Sequence, residues 1–259
     1  MGAQGPPGAA SAESGPARAA AGTGAAPRRA AAPAGSDAAG LPDPGSPSRL
    51  LQQLFFWLVV RPIVLVGLGL NVRHRERLPR AGPAVVVANH NSHLDTMVLM
   101  ALFPSRLLHR VRPLAAADYF LSGPLISWFS RRVIGILPVV RSGGARSGDP
   151  LALPAAALAR DEIVVLFPEG TRGEPERLAA FKSGVGHLAR RHPGVPVVPV
   201  FLHGLGKSLP RGAAVPVPFF CDVFVGEPLF GGDDPRSFVA ALSQRMSALA
   251  AEGQFAPWE

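Results

Sequence analysis

Short apolar runs, rich in Val and Ile, alternate with stretches of helical periodicity through most of the chain. The runs that we expect to be strands are residues 84–88, 133–139, 163–167, 195–201 and 219–225, with a weaker one near 111–115. The helical stretches are 93–102, 124–130, 151–159, 183–191 and 235–251. Strands that are apolar throughout are covered on both faces, and strand–helix alternation is typical of α/β proteins. The sequence therefore predicts a single α/β domain with a mostly parallel or mixed sheet flanked by helices.

The first 48 residues differ from the rest, since they contain 16 Ala, 9 Gly and 8 Pro. Such a segment buries too little apolar surface to offset the entropy cost of ordering, so we predict a disordered tail. An alternative is that translation starts nearer Ser46 and the tail is absent. The predicted organisation is a tail over 1–48, a membrane-associated helical segment over 49–72 and the α/β domain over 73–259.

The segment 49–72 reads RLLQQLFFWLVVRPIVLVGLGLNV. It lies far from residue 1 and lacks a small-residue cleavage site, so it is not expected to be a secretory signal peptide. Its length suffices for a transmembrane helix, which needs about 20 residues. However, a central Arg61 costs about 2.5–3.5 kcal/mol on insertion scales, and Pro62 breaks or kinks a helix.

We therefore predict two half-length helices, about 50–60 and 62–70, lying in the membrane interface. Phe55, Phe56 and Trp57 would lie at the lipid boundary, with Arg61 directed to the headgroups. A true membrane span and a buried core helix remain as alternatives.

The net charge is +8, and the excess lies in residues 50–141, which contain 11 Arg and 3 acidic residues. A basic surface attracts nucleic acid, anionic lipid or an anionic substrate. The block has no RNA-binding aromatic signature and no zinc-finger spacing, and it follows the apolar segment. We therefore expect membrane lipid, and not nucleic acid, as a partner. The single cysteine, Cys221, excludes an intrachain disulfide and a multi-cysteine metal site, and is compatible with a reducing cytoplasm.

A polar block, NHNSHLD, interrupts the apolar stretch AVVVANHNSHLDTMVLM at a predicted strand-to-helix turn. Ser92 and Asp95 match a capping box, which does not account for Asn89, His90 or His93. A carboxylate on one imidazole nitrogen fixes the tautomer and leaves the other nitrogen as a base, so His90 and Asp95 form a candidate catalytic pair. The residues alone leave capping, catalysis and a metal site open.

The metal interpretation is a hydrolase that binds a metal through His90, His93 and Asp95. Such a site needs a third or fourth ligand from elsewhere. The remaining histidines are scattered along the chain, at His74, His109, His187, His192 and His203.

Two further polar blocks follow apolar runs. In GILPVVRSGG the run delivers Arg141 into a Gly-rich turn, and in IVVLFPEGTRG it delivers Glu169 and Arg172, with Lys182 a little further on. Arg141, Arg172 and Lys182 could form a phosphate clamp, because Arg forks onto phosphate oxygens and Lys acts as a point charge. A solvated arginine and a salt-bridged loop are the structural alternatives. A fourth stretch, VPVVPV, contains two prolines, which predicts an edge strand or a bulge.

Taken in order, NHNSHLD, GILPVVR, FPEGTRG and VPVVPV resemble the four motif blocks of the glycerolipid acyltransferases, which include the 1-acyl-glycerol-3-phosphate acyltransferases. FKSG also matches a pattern of this family. The resemblance covers roughly Leu78 to Pro210. One departure is Gly173, where many members have Ser.

The resemblance implies that His90 is the general base and that Asp95 orients it. It assigns acceptor binding to Arg141, Glu169, Gly170, Thr171 and Arg172, with help from Lys182, and it places Pro199 in the fourth block. It implies no metal and no cofactor. It also implies an α/β sheet, preceded in some members by a two-helix membrane motif.

The implied reaction is transfer of an acyl group from acyl-CoA or acyl carrier protein to 1-acyl-glycerol-3-phosphate, giving phosphatidate. Glycerol-3-phosphate, another lysophospholipid or an amino-acid lipid are alternative acceptors. The chain has no G-x-S-x-G nucleophile motif, so direct transfer without an acyl-enzyme is expected. The expected location is the cytoplasmic face of the inner membrane.

Overall fold

The apolar runs pair into one seven-stranded sheet. Its strands, in chain order, are β1 (Gly69–Arg73), β2 (Ala84–Ala88), β3 (Val111–Ala116), β4 (Leu137–Val139), β5 (Ile163–Leu166), β6 (Val197–His203) and β7 (Phe220–Val225). Their order across the sheet is β1-β7-β6-β2-β5-β3-β4. The strands β2 to β6 are parallel, whereas β7 is antiparallel to β6 and β1 is parallel to β7. The predicted α/β fold with a mixed sheet is confirmed.

The structure is a computed structural model, and it describes residues 2, 45–92, 94–117, 123–139, 149–171, 173, 177–208 and 220–255. Its helices are α1 (Arg49–Gly67), α2 (Leu94–Ala101), α3 (Pro124–Phe129), α4 (Ala152–Ala159), α5 (Gly184–Arg191), α6 (Leu205–Ser208) and α7 (Pro235–Glu252). A π-helical turn, Ser130–Ile134, continues α3, and short 3-10 turns occupy Arg75–Arg77 and Leu108–Arg110. All of these elements belong to one compact unit.

Helices cover both faces of the sheet because its strands are apolar on both sides. Alternate residues of β2 face opposite layers: Ala84, Val86 and Ala88 contact one core cluster, and Val85 and Val87 contact the other. The first cluster takes its helical side chains mainly from α1, α2, α6 and the turn after α3, and the second takes them from α4, α5 and α7. Both faces of this central strand are therefore buried, as its uninterrupted apolar sequence predicts.

The prediction of two half-length helices in residues 50–70 is wrong. A single helix, α1, runs from Arg49 to Gly67 and continues through Pro62. π-helical turns at Phe56–Val60 and Ile63–Gly67 flank that proline, and this wider bonding pattern accommodates its missing N–H. With 19 residues and a mean hydropathy of 1.8, α1 is long and apolar enough to cross a membrane by length and composition alone.

Three strand predictions need correction. Residues 69–72, assigned to the membrane segment, belong to the edge strand β1, Gly69–Arg73. The predicted strand 133–139 begins only at Leu137, because Gly135, with φ 86°, ends the preceding π-helical turn. The proline-containing strand β6 is internal, and neither an edge nor a bulge.

The position of Pro199 explains why an internal strand tolerates it. Pro199 accepts a hydrogen bond from the Gly226 N–H at 2.8 Å, so its nitrogen faces the β7 side. Pairing with β7 begins only at Val200, and the missing N–H therefore removes no bond from that ladder.

A buried ion pair helps to anchor residues 45–48 to the domain. The Arg112 side chain is fully buried and donates to Glu162 Oε1 at 3.1 Å, to Gly135 O at 2.9 Å and to Gly45 O at 2.9 Å. In addition, the Ser48 N–H donates to Arg132 O at 2.8 Å. Residues 45–48, the end of the predicted tail, therefore lie against the domain.

Candidate active site

The NHNSHLD block forms the turn between β2, near the middle of the sheet, and α2. It emerges at the carboxyl end of a parallel strand, where ligands of open α/β sheets bind. His90 lies on this turn, and Asp95 lies in the first turn of α2. The His90 side chain is 20% exposed and that of Asp95 is fully buried, so the imidazole reaches solvent and the carboxylate does not.

Asp95 Oδ2 organises the turn. It lies 2.8 Å from His90 Nδ1 and accepts hydrogen bonds from the N–H groups of Asn91, at 2.6 Å, and Ser92, at 2.8 Å. A carboxylate acceptor keeps the proton on Nδ1 and leaves the Nε2 lone pair outward. Among the described residues, no hydrogen bond occupies Nε2. Burial raises the pKa of Asp95, while the His90 ring and these two N–H groups oppose the rise.

The capping interpretation also holds and coexists with the imidazole contact. Ser92 Oγ accepts from the Leu94 N–H at 3.3 Å, and the Ser92 N–H donates to Asp95, as in a reciprocal capping box. The same carboxylate therefore caps α2 and holds His90.

Two asparagines, to which the sequence assigns no role, fix this turn to the neighbouring strand. Asn89 Nδ2 donates to Leu202 O at 2.8 Å, and the Leu202 N–H donates to Asn89 Oδ1 at 2.7 Å. Asn91 Nδ2 donates to the same carbonyl at 3.0 Å. All three bonds are buried, so they hold both flanks of His90 in place.

Phe167, the first residue after β5, packs on the imidazole. The Phe167 and His90 rings stack with centroids 4.2 Å apart and planes inclined by 21°. The Gly173 N–H donates to His90 O at 3.2 Å, so the FPEGTRG loop contacts the His90 turn at two points. Sequence analysis missed the role of Phe167, although the residue opens a motif that it singled out.

Glu169 lies in the FPEGTRG loop, and its carboxyl group is buried. Neither carboxyl oxygen has a hydrogen-bond partner of normal geometry among the described residues. Burial raises the pKa of Glu169 to about 7, and the nearby N–H groups of His90 and Ala179 moderate that rise. A substrate hydroxyl could reach such a carboxyl group as a donor or an acceptor.

Lys182 and Gly170 approach each other closely. A Cβ on Gly170 would lie 2.5 Å from Lys182 Nζ, and Gly170 has φ +72°, so glycine suits this position on both counts. The Lys182 N–H donates to Pro168 O at 2.9 Å, which ties the FKSG segment to the loop. Thr171 is exposed beside them. The structure thus brings together Glu169, Gly170, Thr171 and Lys182.

Three predicted site residues, His93, Arg141 and Arg172, lie outside the described residues. Pro199 lies within β6. The strand β2 separates β6 from β5, the strand that leads into the FPEGTRG loop. No group of three or more His, Cys, Asp or Glu side chains positioned to hold a metal ion occurs within the described part of the chain.

Comparison with known proteins gives one family and one fold. The Acyltransferase family model matches residues 69–203. The chloroplastic 1-acyl-sn-glycerol-3-phosphate acyltransferase LPAT1 of Arabidopsis thaliana is 34% identical over 145 residues, covering 56% of this chain and 38% of the relative. The human 1-acyl-sn-glycerol-3-phosphate acyltransferase alpha is 32% identical over 144 residues, covering 53% of this chain and 47% of the relative.

The chain therefore spans about two fifths to a half of the length of these curated relatives. Among solved structures, the 1-acyl-sn-glycerophosphate acyltransferase PlsC of Thermotoga maritima aligns with a TM-score of 0.64 at 21% identity. The alignment covers 82% of this chain and 81% of that one, and it supports the α/β fold. Because the family model matches more than half of the chain and includes the His90 turn, this protein belongs to the acyltransferase family.

Proposed function

We propose that this chain is a membrane-bound O-acyltransferase. It transfers a fatty acyl group from an acyl thioester, either acyl-CoA or acyl carrier protein, to the free hydroxyl of 1-acyl-glycerol-3-phosphate. The observation that carries the proposal is the 2.8 Å contact between His90 Nδ1 and Asp95 Oδ2 at the carboxyl end of β2. The names of the relatives from Arabidopsis thaliana and Homo sapiens support this acceptor.

In this mechanism His90 acts directly on the acceptor. Its Nε2 removes the hydroxyl proton while the hydroxyl oxygen attacks the thioester carbonyl, which gives a tetrahedral oxyanion. Collapse of this intermediate breaks the C–S bond, and the departing thiolate takes the proton back from the imidazolium. Asp95 holds the ring and stabilises its charged form. A positioned general base of this kind contributes on the order of 10²–10⁴-fold to the rate.

Acceptor binding is assigned to residues of the FPEGTRG loop together with cationic side chains outside it. Lys182, with Arg141 and Arg172, would bind the phosphate of the acceptor, because these side chains combine point charge with bidentate donors. Glu169, Gly170 and Thr171 would line the glycerol backbone. The transfer needs neither a serine nucleophile nor a cofactor, since the thioester is already activated.

Membrane lipid is the other partner, and the cytoplasmic face of the inner membrane is the proposed location. The support is the apolar helix α1 and the concentration of arginine in residues 50–141. A lysophospholipid acceptor and a phospholipid product both reside in that lipid phase.

Two substitutions test the assignment of the base. Purified His90→Ala and Asp95→Asn variants are assayed for thioester consumption with 1-acyl-glycerol-3-phosphate, and folding is checked by circular dichroism. We expect the rate to fall about 10²–10⁴-fold in both. His192→Ala, which follows the C-terminal end of α5 at the edge of the sheet where β6 begins, serves as the matched control and should retain full activity. Normal turnover by a folded His90→Ala variant would contradict the proposal.

Two alternatives have their own tests. An acceptor panel with glycerol-3-phosphate, other lysophospholipids and an amino-acid lipid, at a fixed donor, separates acyl transfer to these compounds from the proposed reaction. A metal-dependent hydrolase using His90, His93 and Asp95 would have to bind its ion through the buried Asp95 Oδ1, since Oδ2 already serves His90 and two N–H groups. Activity that survives exhaustive chelation, in protein free of metal by elemental analysis, would exclude that enzyme.

A further inference from the structure

Residues 177–182 form one side of the candidate acceptor site, and we call them the acceptor segment. Lys182 Nζ lies against Gly170, and the Ala179 N–H lies near the Glu169 carboxyl group. The acceptor segment is neither helix nor strand. No ladder of backbone hydrogen bonds therefore fixes its position, which depends on the contacts of its individual residues.

Two apolar side chains of the acceptor segment, Leu178 and Phe181, are half-buried and pack against a small hydrophobic cluster. We call it the third cluster. Its buried members come from β6, β7 and α7, and they are Phe201, Phe224, Met246 and Leu249. Phe181 also packs against the second core cluster. The third cluster is thus an apolar support on which the acceptor segment rests.

A turn after α7 brings one more aromatic ring to the third cluster. The chain turns through Gly253 and Gln254, whose φ is 49°, and Phe255 folds back onto the sheet. The Phe255 ring meets the Phe224 ring edge to face at a centroid distance of 5.8 Å. Phe255 therefore packs against the same cluster as the acceptor segment, from a distant part of the chain.

A second contact of Phe255 fixes its ring in place. The Phe255 and His203 rings stack with centroids 3.5 Å apart and planes inclined by 4°. His203 is the last residue of β6, where its backbone pairs with Asp222 of β7. The Phe255 ring thus lies between the end of a paired strand and the cluster that supports the acceptor segment.

The turn itself is built around this ring. A Cβ on Gly253 would overlap the Phe255 ring, whereas the Gly253 backbone, with φ −70° and ψ −21°, suits other residues equally well. Alanine at this position would therefore displace the ring without straining the backbone. At the start of the turn, Glu252 Oε1 lies 2.8 Å from His74 Nε2, which holds the end of α7.

We propose that Phe255 is a positioning residue for the acyl acceptor. Its ring completes the third cluster and so holds Leu178 and Phe181 in place, and these residues keep Lys182 beside Gly170. The phosphate of the acceptor then meets a cation that is already positioned, which lowers the entropy cost of binding. This inference rests on the proposed acyl transfer to 1-acyl-glycerol-3-phosphate.

The His90 turn should be insensitive to Phe255. Asn89 is hydrogen-bonded to Leu202, whose backbone pairs with Val223 of β7, and none of these bonds involves the Phe255 side chain. Loss of the ring should therefore weaken binding of the acceptor and leave the chemical step intact.

Steady-state kinetics on the full chain test this separation. In Phe255→Ala we expect KM for 1-acyl-glycerol-3-phosphate to rise about tenfold, with kcat and KM for the acyl donor within about twofold of wild type. Phe255→Tyr, which retains the ring, should restore the acceptor KM. Gly253→Ala, which keeps the phenylalanine but displaces it, should raise the acceptor KM as Phe255→Ala does.

Phe230→Ala is the matched control. It removes an exposed phenylalanine next to Leu229, which pairs with Val197 at the opposite end of β6. Its kinetic constants should equal those of wild type. An unchanged acceptor KM in Phe255→Ala, including one accompanied by a fall in kcat alone, would overturn the inference.

Hydrogen–deuterium exchange separates failure of this inference from failure of the proposed function. Without the Phe255 ring, the amides of residues 177–182, among them the Lys182 N–H bonded to Pro168 O, should exchange faster, while those of β2 stay protected. An active wild type with unchanged exchange and KM in Phe255→Ala contradicts the inference alone. A wild type that does not acylate 1-acyl-glycerol-3-phosphate contradicts the proposed function, and exchange then decides whether Phe255 supports the acceptor segment.

Discussion

The imidazole of His90 and the phenyl ring of Phe167 stack at a centroid distance of 4.2 Å, although they come from different strands. His90 follows β2 and Phe167 follows β5, and these two strands are hydrogen-bonded neighbours. Asp95 fixes one edge of the imidazole and Phe167 covers one of its faces. Together they set the direction in which Nε2 points.

Replacing Phe167 should therefore slow the reaction more than it weakens binding. In Phe167→Leu an apolar group remains but the flat contact is lost, and we expect kcat to fall about tenfold with KM for the acceptor nearly unchanged. Phe167→Tyr, which retains the ring, should recover most of the rate. Phe238→Leu, in the core on the opposite face of the sheet, is the control and should leave kcat unaltered. Steady-state kinetics with both substrates varied distinguishes these outcomes, and an unchanged kcat in Phe167→Leu would refute the positioning role.

Asn89 should matter for stability as well as for activity. Asn89→Ala removes two buried hydrogen bonds and leaves the Leu202 N–H and carbonyl with fewer partners. We expect a loss of about 2–4 kcal/mol in the free energy of unfolding, because an unpaired buried polar group carries its full desolvation cost. Asn71→Ala, which removes the exposed Asn71–Asp222 bond, should cost less than about 1 kcal/mol. Denaturant titration gives both values, and equal losses would contradict the role assigned to the Asn89–Leu202 hydrogen bonds.

The buried carboxyl group of Glu169 predicts a pH dependence of stability. Its pKa is raised to about 7 in the folded protein from its ordinary value of 4.5, so the folded state binds the proton more tightly than the unfolded state does. The contribution of this group to stability is therefore fully present below pH 4.5 and is lost as the pH rises through about 7.

In Glu169→Gln this loss should disappear. Thermal melts of both proteins between pH 5 and pH 8 should show the wild type falling relative to the variant, by on the order of 1–3 kcal/mol. Parallel curves across that interval would mean that Glu169 titrates as an ordinary exposed carboxyl group.

The Arg112–Glu162 pair should be costly to break from one side. Arg112→Leu leaves the buried Glu162 carboxylate with Arg160 alone, whose side chain is 38% exposed, and we expect a loss of about 3–5 kcal/mol. Arg160→Leu removes the more exposed partner and should cost less than about 1 kcal/mol. Chemical denaturation measures both, and a small effect of Arg112→Leu would mean that water hydrates Glu162 in the variant.

The sequence predicted those elements and contacts that depend on residues close together in the chain. The bounds of β2 agree with the prediction, because five apolar residues are followed directly by the polar NHNSHLD block. The contact of His90 with Asp95 also follows from local spacing, since the two residues are five positions apart across a strand-to-helix turn. The long helix α7 ends within one residue of its prediction.

Elements that depend on distant partners could not be predicted in this way. β1 is a strand because it pairs with β7, about 150 residues later in the chain, and its own sequence continues an apolar helix. The Asn89–Leu202 bonds likewise depend on β6 lying next to β2. Gly135 ends a helical turn inside an apolar run whose composition suggests a strand throughout.

The burial of one side of α1 limits how the protein can be simplified. A shortened chain that starts at Gly69, where the family match begins, would strip Phe56, Val60 and Val64 from the sheet and leave bare hydrophobic strands that invite aggregation. Polar replacements at outward positions such as Leu58 and Val66, with the inward residues retained, are the better route to a detergent-free sample for crystallography.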